Sequence, residues 1–237
     1  EITAFYKDLE NLLGTRFYRR QLIYRYSVFT NIDYGSVKGI DVSWRFRNPT
    51  FFSGVLNYTY SVASGNASFP TDQAYNAYLG LEETKQEYPL DFDRRHIVSA
   101  SMTFTYPGQP DASFWEKALL SRLSLNFIVQ YASGFPYTPI TDDPTLFIPP
   151  NSARMPWTGA VDVRLEKRWP LRGSTLGAFV EAANIFDNLN ALRVQPFTGR
   201  LWDTGKLDLL ATGTDYVHNP GDAGPPRLFR VGALIIF

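Results

Sequence analysis

The sequence predicts an all-β, antiparallel transmembrane β-barrel, and three features predict it. Apolar residues recur at every second position over segments of about ten residues, short and long connections alternate, and the final segment ends on an aromatic residue. A period of two places alternate side chains on opposite faces, so each such segment is a strand with two different environments.

Taken in chain order, the first segment, Glu1–Asp8, alternates weakly. Ser36–Arg47 sets Ile40, Val42, Trp44 and Phe46 against Asp41, Ser43, Arg45 and Arg47. Phe51–Ala63 sets Leu56, Tyr58, Tyr60 and Val62 against Asn57, Thr59 and Ser61. His96–Tyr106 sets Val98, Ala100, Met102, Phe104 and Tyr106 against Ser99, Ser101, Thr103 and Thr105. Ser121–Tyr131 opposes Leu123, Leu125, Phe127, Val129 and Tyr131 to Arg122, Ser124, Asn126 and Gln130. Thr158–Trp169 opposes Val161, Val163 and Leu165 to Asp162, Arg164 and Glu166. Thr175–Asp187 is less regular, because Phe179 shares a face with Glu181. Arg227–Phe237 carries Phe229, Val231, Ala233, Ile235 and Phe237 in register.

The connections discriminate further. Asn48-Pro49-Thr50 and Pro170–Ser174 are tight, and the stretch between Tyr106 and Ser121 is modest. Leu9–Gly35, Ser64–Asp93, Ala132–Trp157 and Asn188–Pro226 are much longer. Structureless stretches of that length are unusual in compact domains. Outer-membrane barrels combine short periplasmic turns with long extracellular loops by rule. The strand length suits a tilted membrane crossing.

The apolar face carries almost no charge through its middle; Lys38 and Lys167 stand near its ends, where a long stem can snorkel. The other face mixes both charge signs with Ser, Thr and Asn, as a wet lumen would. Trp44, Tyr106, Trp169 and Phe237 gather toward one rim and Tyr58, Tyr60 and Tyr131 toward the other, the placement membrane interfaces favour. A soluble sandwich also alternates, but with its apolar face turned inward.

Composition narrows the function classes. Lys+Arg and Asp+Glu both number 23, so net charge offers no electrostatic reason for a nucleic-acid partner. There is no Cys and there are two His, which removes disulfides, thiolate zinc sites, thiol nucleophiles and any histidine cage; neither metal nor other cofactor is expected. His96 stands beside Asp91 and Asp93 and suits a polar collar at a strand start better than a general base. His218 lies in a loop of turn formers. Asp142-Asp143 reads as an Asx-type turn before it reads as a cation site. No catalytic residue is expected. Glu1-Ile2-Thr3 is neither an initiator Met nor a signal peptide, so a preceding segment is expected.

The final strand resembles the C-terminal β-signal of bacterial outer-membrane proteins, with Arg230, Gly232, Ile235 and Phe237 at its polar, glycine, hydrophobic and aromatic places. That resemblance implies capture by the barrel assembly machinery at an open sheet edge. Five further stretches resemble the C-terminal half of TonB-dependent outer-membrane receptors, particularly the large Bacteroidota-type receptors. These are Asn31–Asp41, Leu56–Ser61, the D-x-D-R-R-H run ending at His96, Ser133-Gly134-Phe135-Pro136-Tyr137-Thr138-Pro139, and Phe179–Asp187.

The resemblance spans residues 1–237 and implies about eight C-terminal strands of a 22-stranded barrel, without the plug that binds TonB. It implies energy-coupled uptake of a large scarce solute (siderophore, cobalamin, glycan or peptide) in the outer membrane of a Gram-negative bacterium, with membrane lipid, the TonB complex and an unidentified solute as partners. Asp41, Arg45, Arg122, Asp162, Arg164, Glu181 and Arg230 are then the lumen-facing transport path. Tyr75, Tyr78, Trp157, Trp202 and Tyr216 are candidate extracellular ligand contacts. The alternative is a complete small structural or adhesive barrel whose long loops bind a partner.

Overall fold

In the computed structural model the described residues are all but 21–23, 49, 79–85, 109, 110, 112, 144 and 206–217. Eight strands form one antiparallel meander in sequence order. They are β1 (Ile2–Arg20), β2 (Tyr24–Asn48), β3 (Phe52–Gly65), β4 (His96–Tyr106), β5 (Leu123–Ala132), β6 (Thr158–Leu171), β7 (Ser174–Ala183) and β8 (Leu228–Ile236). The two-residue strand Tyr88–Pro89 extends the sheet beside β3, and Pro136–Tyr137 pairs separately with Ala153–Arg154. Among the described residues two short α-helices, α1 (Asp72–Tyr78) and α2 (Phe114–Leu119), and a 3-10 turn at Pro220–Asp222 complete the fold. Among the described residues no register joins β1 to β8, so both outer strands are free edges.

The register sorts side chains as the period of two requires. One row runs Phe46, Gly54, Met102, Phe127, Val163, Ala182, Phe229 across seven strands. The row displaced by one residue runs Arg47, Ser53, Thr103, Asn126, Arg164, Glu181, Arg230. One face of the sheet is apolar and the other polar over its whole width.

No dry centre collects the apolar face. Ile40, Trp44, Phe104, Leu165, Val180, Val231 and Ile235 are all exposed, and the buried apolar residues are mainly alanines. The chain exposes 16746 Å², whereas a compact soluble protein of its 26.9 kDa exposes about 10,800 Å². A soluble sandwich would bury this face against a second layer; among the described residues the strands pack mainly against their sheet neighbours, with α1 against β1 and α2 bonded at one rim.

Two aromatic belts bound the apolar face. At the short-turn rim Phe46, Phe52 and Phe104 stack in succession, at centroid separations of 4.8 and 4.5 Å, with Trp44 and Phe127 edge-on beside them. At the long-connection rim Trp157 stacks on His96 at 5.6 Å and on Tyr131 at 5.1 Å, with Tyr58 and Tyr60 adjoining. In β4, His96 and Tyr106 mark the two limits on one face. Ten residues at about 3.3 Å each, tilted by roughly 40°, give a band about 25 Å tall.

Four expectations are corrected. The described residues of Leu9–Gly35 continue the pairing of β1 and β2 up to Arg20 and Tyr24 instead of forming a long loop, and they outrun a membrane crossing of about 10 residues. The register slips between Leu9 and Leu13, where Asn11 has a φ of 57°, and this bulge breaks the alternation. The strand expected from Ser121 begins at Leu123, because Arg122 is a turn residue with a φ of 56°. The segment Thr175–Asp187 stops pairing at Ala183, and Asn184 and Asp187 turn the chain with φ of 49° and 55°. Lys167 does not snorkel to water: it is 8% exposed, and its amine donates to the Ser121 carbonyl below α2.

Candidate functional site

The polar face carries a continuous ladder of charge. Arg164 on β6 donates to Glu166 Oε2 through Nη2 at 2.9 Å and to Glu181 Oε2 on β7 through Nη1 at 3.3 Å. Glu181 Oε1 in turn accepts from Arg230 Nη1 on β8 at 3.1 Å. Arg168 Nε donates to the other oxygen of the buried Glu166 at 2.6 Å. The Arg164 guanidinium also lies 3.9 Å from the Phe179 ring centre, which explains how an aromatic sits among the charges of β7.

These contacts follow from register. Arg164, Glu181 and Arg230 are directly opposite one another on three adjacent strands, so alternating signs face across every step. Elsewhere on the same face Asp41 accepts from Thr59 Oγ1 at 2.6 Å, and Asn126 accepts from Thr103 Oγ1 at 2.9 Å. Asp162 accepts the backbone N–H of Asn184 at 2.8 Å, holding the turn that leaves β7. Arg45 is in the row of Asp162, four strands away. Six of the seven expected lumen residues thus share one face; Arg122 stands apart in its turn, where its N–H donates to Tyr106 O at 2.8 Å.

Among the described residues no ring contact joins the aromatic residues expected outside. Tyr75 is exposed on α1, and Tyr78 follows on the same helix. Trp202 donates through Nε1 to Asn219 O at 3.0 Å and lies 5.1 Å from the His218 ring. Trp157 belongs to the aromatic belt of the apolar face rather than to a vestibule. Tyr216 lies outside the described residues.

A knot of polar bonds ties two long connections to the sheet. Asp93 is 1% exposed; Oδ1 accepts from Ala63 N at 2.8 Å, and Oδ2 accepts from Arg95 Nε at 2.9 Å and from Arg154 Nη2. The hydrogen bond that Arg95 donates to Asp93 raises the Arg95 pKa above its ordinary value. Arg94 reaches Ser133 O at 3.0 Å and covers the Phe135 ring at 4.5 Å. Asn151 Nδ2 spans Pro89 O at 2.8 Å and Asp91 Oδ1 at 2.6 Å.

The D-x-D-R-R-H and Ser133–Pro139 stretches are therefore two halves of one corner. Arg154, which completes it, carried no signal in the sequence. His96 is engaged by Tyr58, whose hydroxyl is 2.9 Å from Nδ1, while Asp93 is taken up by arginines. Asp143 accepts from Thr145 N at 2.9 Å and Oγ1 at 2.6 Å, the expected Asx turn. These two bonds hold its carboxyl below the ordinary aspartate range. Among the described residues no three His, Cys, Asp or Glu side chains converge on a metal position.

No family model and no curated protein sequence matches the chain. Its structure is similar to that of the outer membrane transporter YddB from Escherichia coli, with a TM-score of 0.58 at 12% sequence identity. The match takes in 99% of this chain and 30% of the transporter's. At that identity the likeness is one of fold, and this chain spans under a third of that protein: the eight-stranded meander has the fold of part of an outer-membrane transporter.

Proposed function

We propose that the chain is the C-terminal part of the barrel of a TonB-dependent outer-membrane receptor that imports a large, scarce solute. The observation that carries this reading is the apolar face, exposed between two aromatic belts ten residues apart along β4 and backed by a face of paired charges. Hydrocarbon is the solvent that matches the first, and a water-filled lumen matches the second. The likeness to a transporter fold supports the setting, and the two free edges with the 30% share support a piece of a larger barrel. The receptor class rests on the six sequence stretches.

In this reading Asp41, Arg45, Asp162, Arg164, Glu181 and Arg230 line the path past the plug. Arg164, Glu181 and Arg230 hold one another, and Asp41 and Asp162 are held by Thr59 and the Asn184 backbone, so this part of the wall is charged yet preorganised. The short turns face the periplasm, and the long connections, tied at Asp93, face the medium. The chain does no covalent chemistry; the energy arrives through TonB. The polypeptide preceding Glu1 provides the test. A plug domain and TonB-binding box there, with the protein in the outer membrane and resistant to urea extraction, are expected. A secretion signal directly before Glu1 would replace import with a small adhesive barrel.

A further inference from the structure

The helix α2 lies on the apolar face at the short-turn rim, tied to it by three side chains of that face. Lys167 donates its amine to the carbonyls of Ser121 and Lys117, the latter at 3.4 Å. Trp169 Nε1 donates to Ala118 O at 2.9 Å, and the Tyr106 hydroxyl donates to Glu116 Oε1 at 2.6 Å. The last carbonyls of a helix have no partner within it, and a cation there is favoured by the helix dipole. Ser113 caps the other end. A six-residue helix is too short to persist alone, so these bonds hold it in place.

What α2 turns outward is apolar. Phe114, Trp115, Leu119 and Leu120 are 75%, 71%, 62% and 47% exposed. At about 100° per residue, Phe114, Ala118, Trp115 and Leu119 fill one arc of roughly 140°, with Glu116 and Lys117 opposite. A soluble loop has no reason to be bonded down with its aromatic edge exposed. The edge is continuous with the apolar band through Tyr106, Lys167 and Trp169, where that band meets headgroups.

We infer that α2 is an interfacial foot, seating its Phe114–Leu119 edge at the headgroup–acyl boundary of the phospholipid leaflet at the short-turn rim. This rests on the apolar face being lipid-facing. The foot fixes how deep the sheet sits, as a belt residue does, but on a lever projecting from the sheet.

Residues 1–237 contain no cysteine, so with any cysteine elsewhere in the complete protein replaced by serine, single-cysteine variants accept one nitroxide each. W115C, L119C, K117C and, in the band, L125C are reconstituted in phosphatidylethanolamine–phosphatidylcholine vesicles. Collision with oxygen, which partitions into lipid, is compared with collision with a water-soluble nickel chelate. Labels at 115 and 119 are expected at depths between those at 125 and 117, with nickel access at least threefold below position 117. Nickel access at 115 and 119 equal to that at 117, with 125 deep, rejects the foot and leaves the band. Exclusion of both reagents from 115 and 119 means a protein covers the helix, which also rejects it. Nickel access at 125 overturns the lipid-facing reading itself.

Discussion

Asp93 and Arg154, sixty-one residues apart, are joined twice: Arg154 Nη2 donates to the buried carboxylate and Nη1 to the Asp93 carbonyl at 2.8 Å. With Arg95 and Ala63 N on the same carboxylate, this one side chain holds β3, β4 and the 132–157 connection together. Removing the charge strands two guanidinium groups that are 29% and 33% exposed. D93N is expected to cost roughly 3 kcal/mol in urea unfolding, the low end of the range for a broken buried pair because both arginines keep some water. Protease cleavage within 132–157 is expected to quicken in the same variant.

Gly134 sits in the same corner for want of space. A Cβ there would stand 1.9 Å from Met155 O and 2.7 Å from Pro156 O, both backbone atoms that cannot rotate away. At Gly173, with a φ of 83°, a Cβ would meet nothing within 4 Å, so only the left-handed backbone resists it. G134A is expected to lower stability by about 2–3 kcal/mol and G173A by about 1, measured as urea midpoints.

Tyr88, in the short strand beside β3, has its phenol pushed up to about 12, first by burial and then by the negative charges of Asp72 and Asp91. An unfolded tyrosine ionises near 10. The folded form therefore holds its proton while the unfolded chain releases one between these values. Stability from this group is complete below pH 10, falls as pH rises to 12, and is level beyond. Absorbance at 295 nm is expected to show one late tyrosinate near pH 12, absent in Y88F.

Phe237 is 98% exposed and packs against nothing among the described residues. If its place in the β-signal is what it serves, F237A leaves the urea midpoint of assembled protein within about 0.5 kcal/mol of the parent. Assembly is expected to slow severalfold, read as the fraction reaching the outer membrane after a pulse of synthesis.

The sheet was legible wherever the period of two ran unbroken, as in Ser36–Arg47, Phe51–Ala63, His96–Tyr106 and Thr158–Trp169, because alternation reports two environments directly. The β1–β2 hairpin was hidden by the bulge at Leu9–Leu13, which moves the pattern out of phase midway. Helix α2 has too few residues for a helical period to register. The charge ladder was half legible: Arg164, Glu181 and Arg230 were assignable to a face, but their register was not. Arg122 was misplaced because alternation extends into a turn without changing sign. The bond between Asp93 and Arg154 spans a long connection, and no local pattern foretells it.

Neighbouring residues in the middle of β4 test which face of the sheet meets lipid. Met102 belongs to the apolar row and Ser101 to the polar one. With the complete protein folded in vesicles, unfolding of M102R and S101R is compared by urea titration. M102R is expected to lose about 2–4 kcal/mol, the cost of an arginine near the bilayer midplane, and S101R less than 1. A larger loss for S101R, or equal losses, would mean that the apolar face does not look onto lipid.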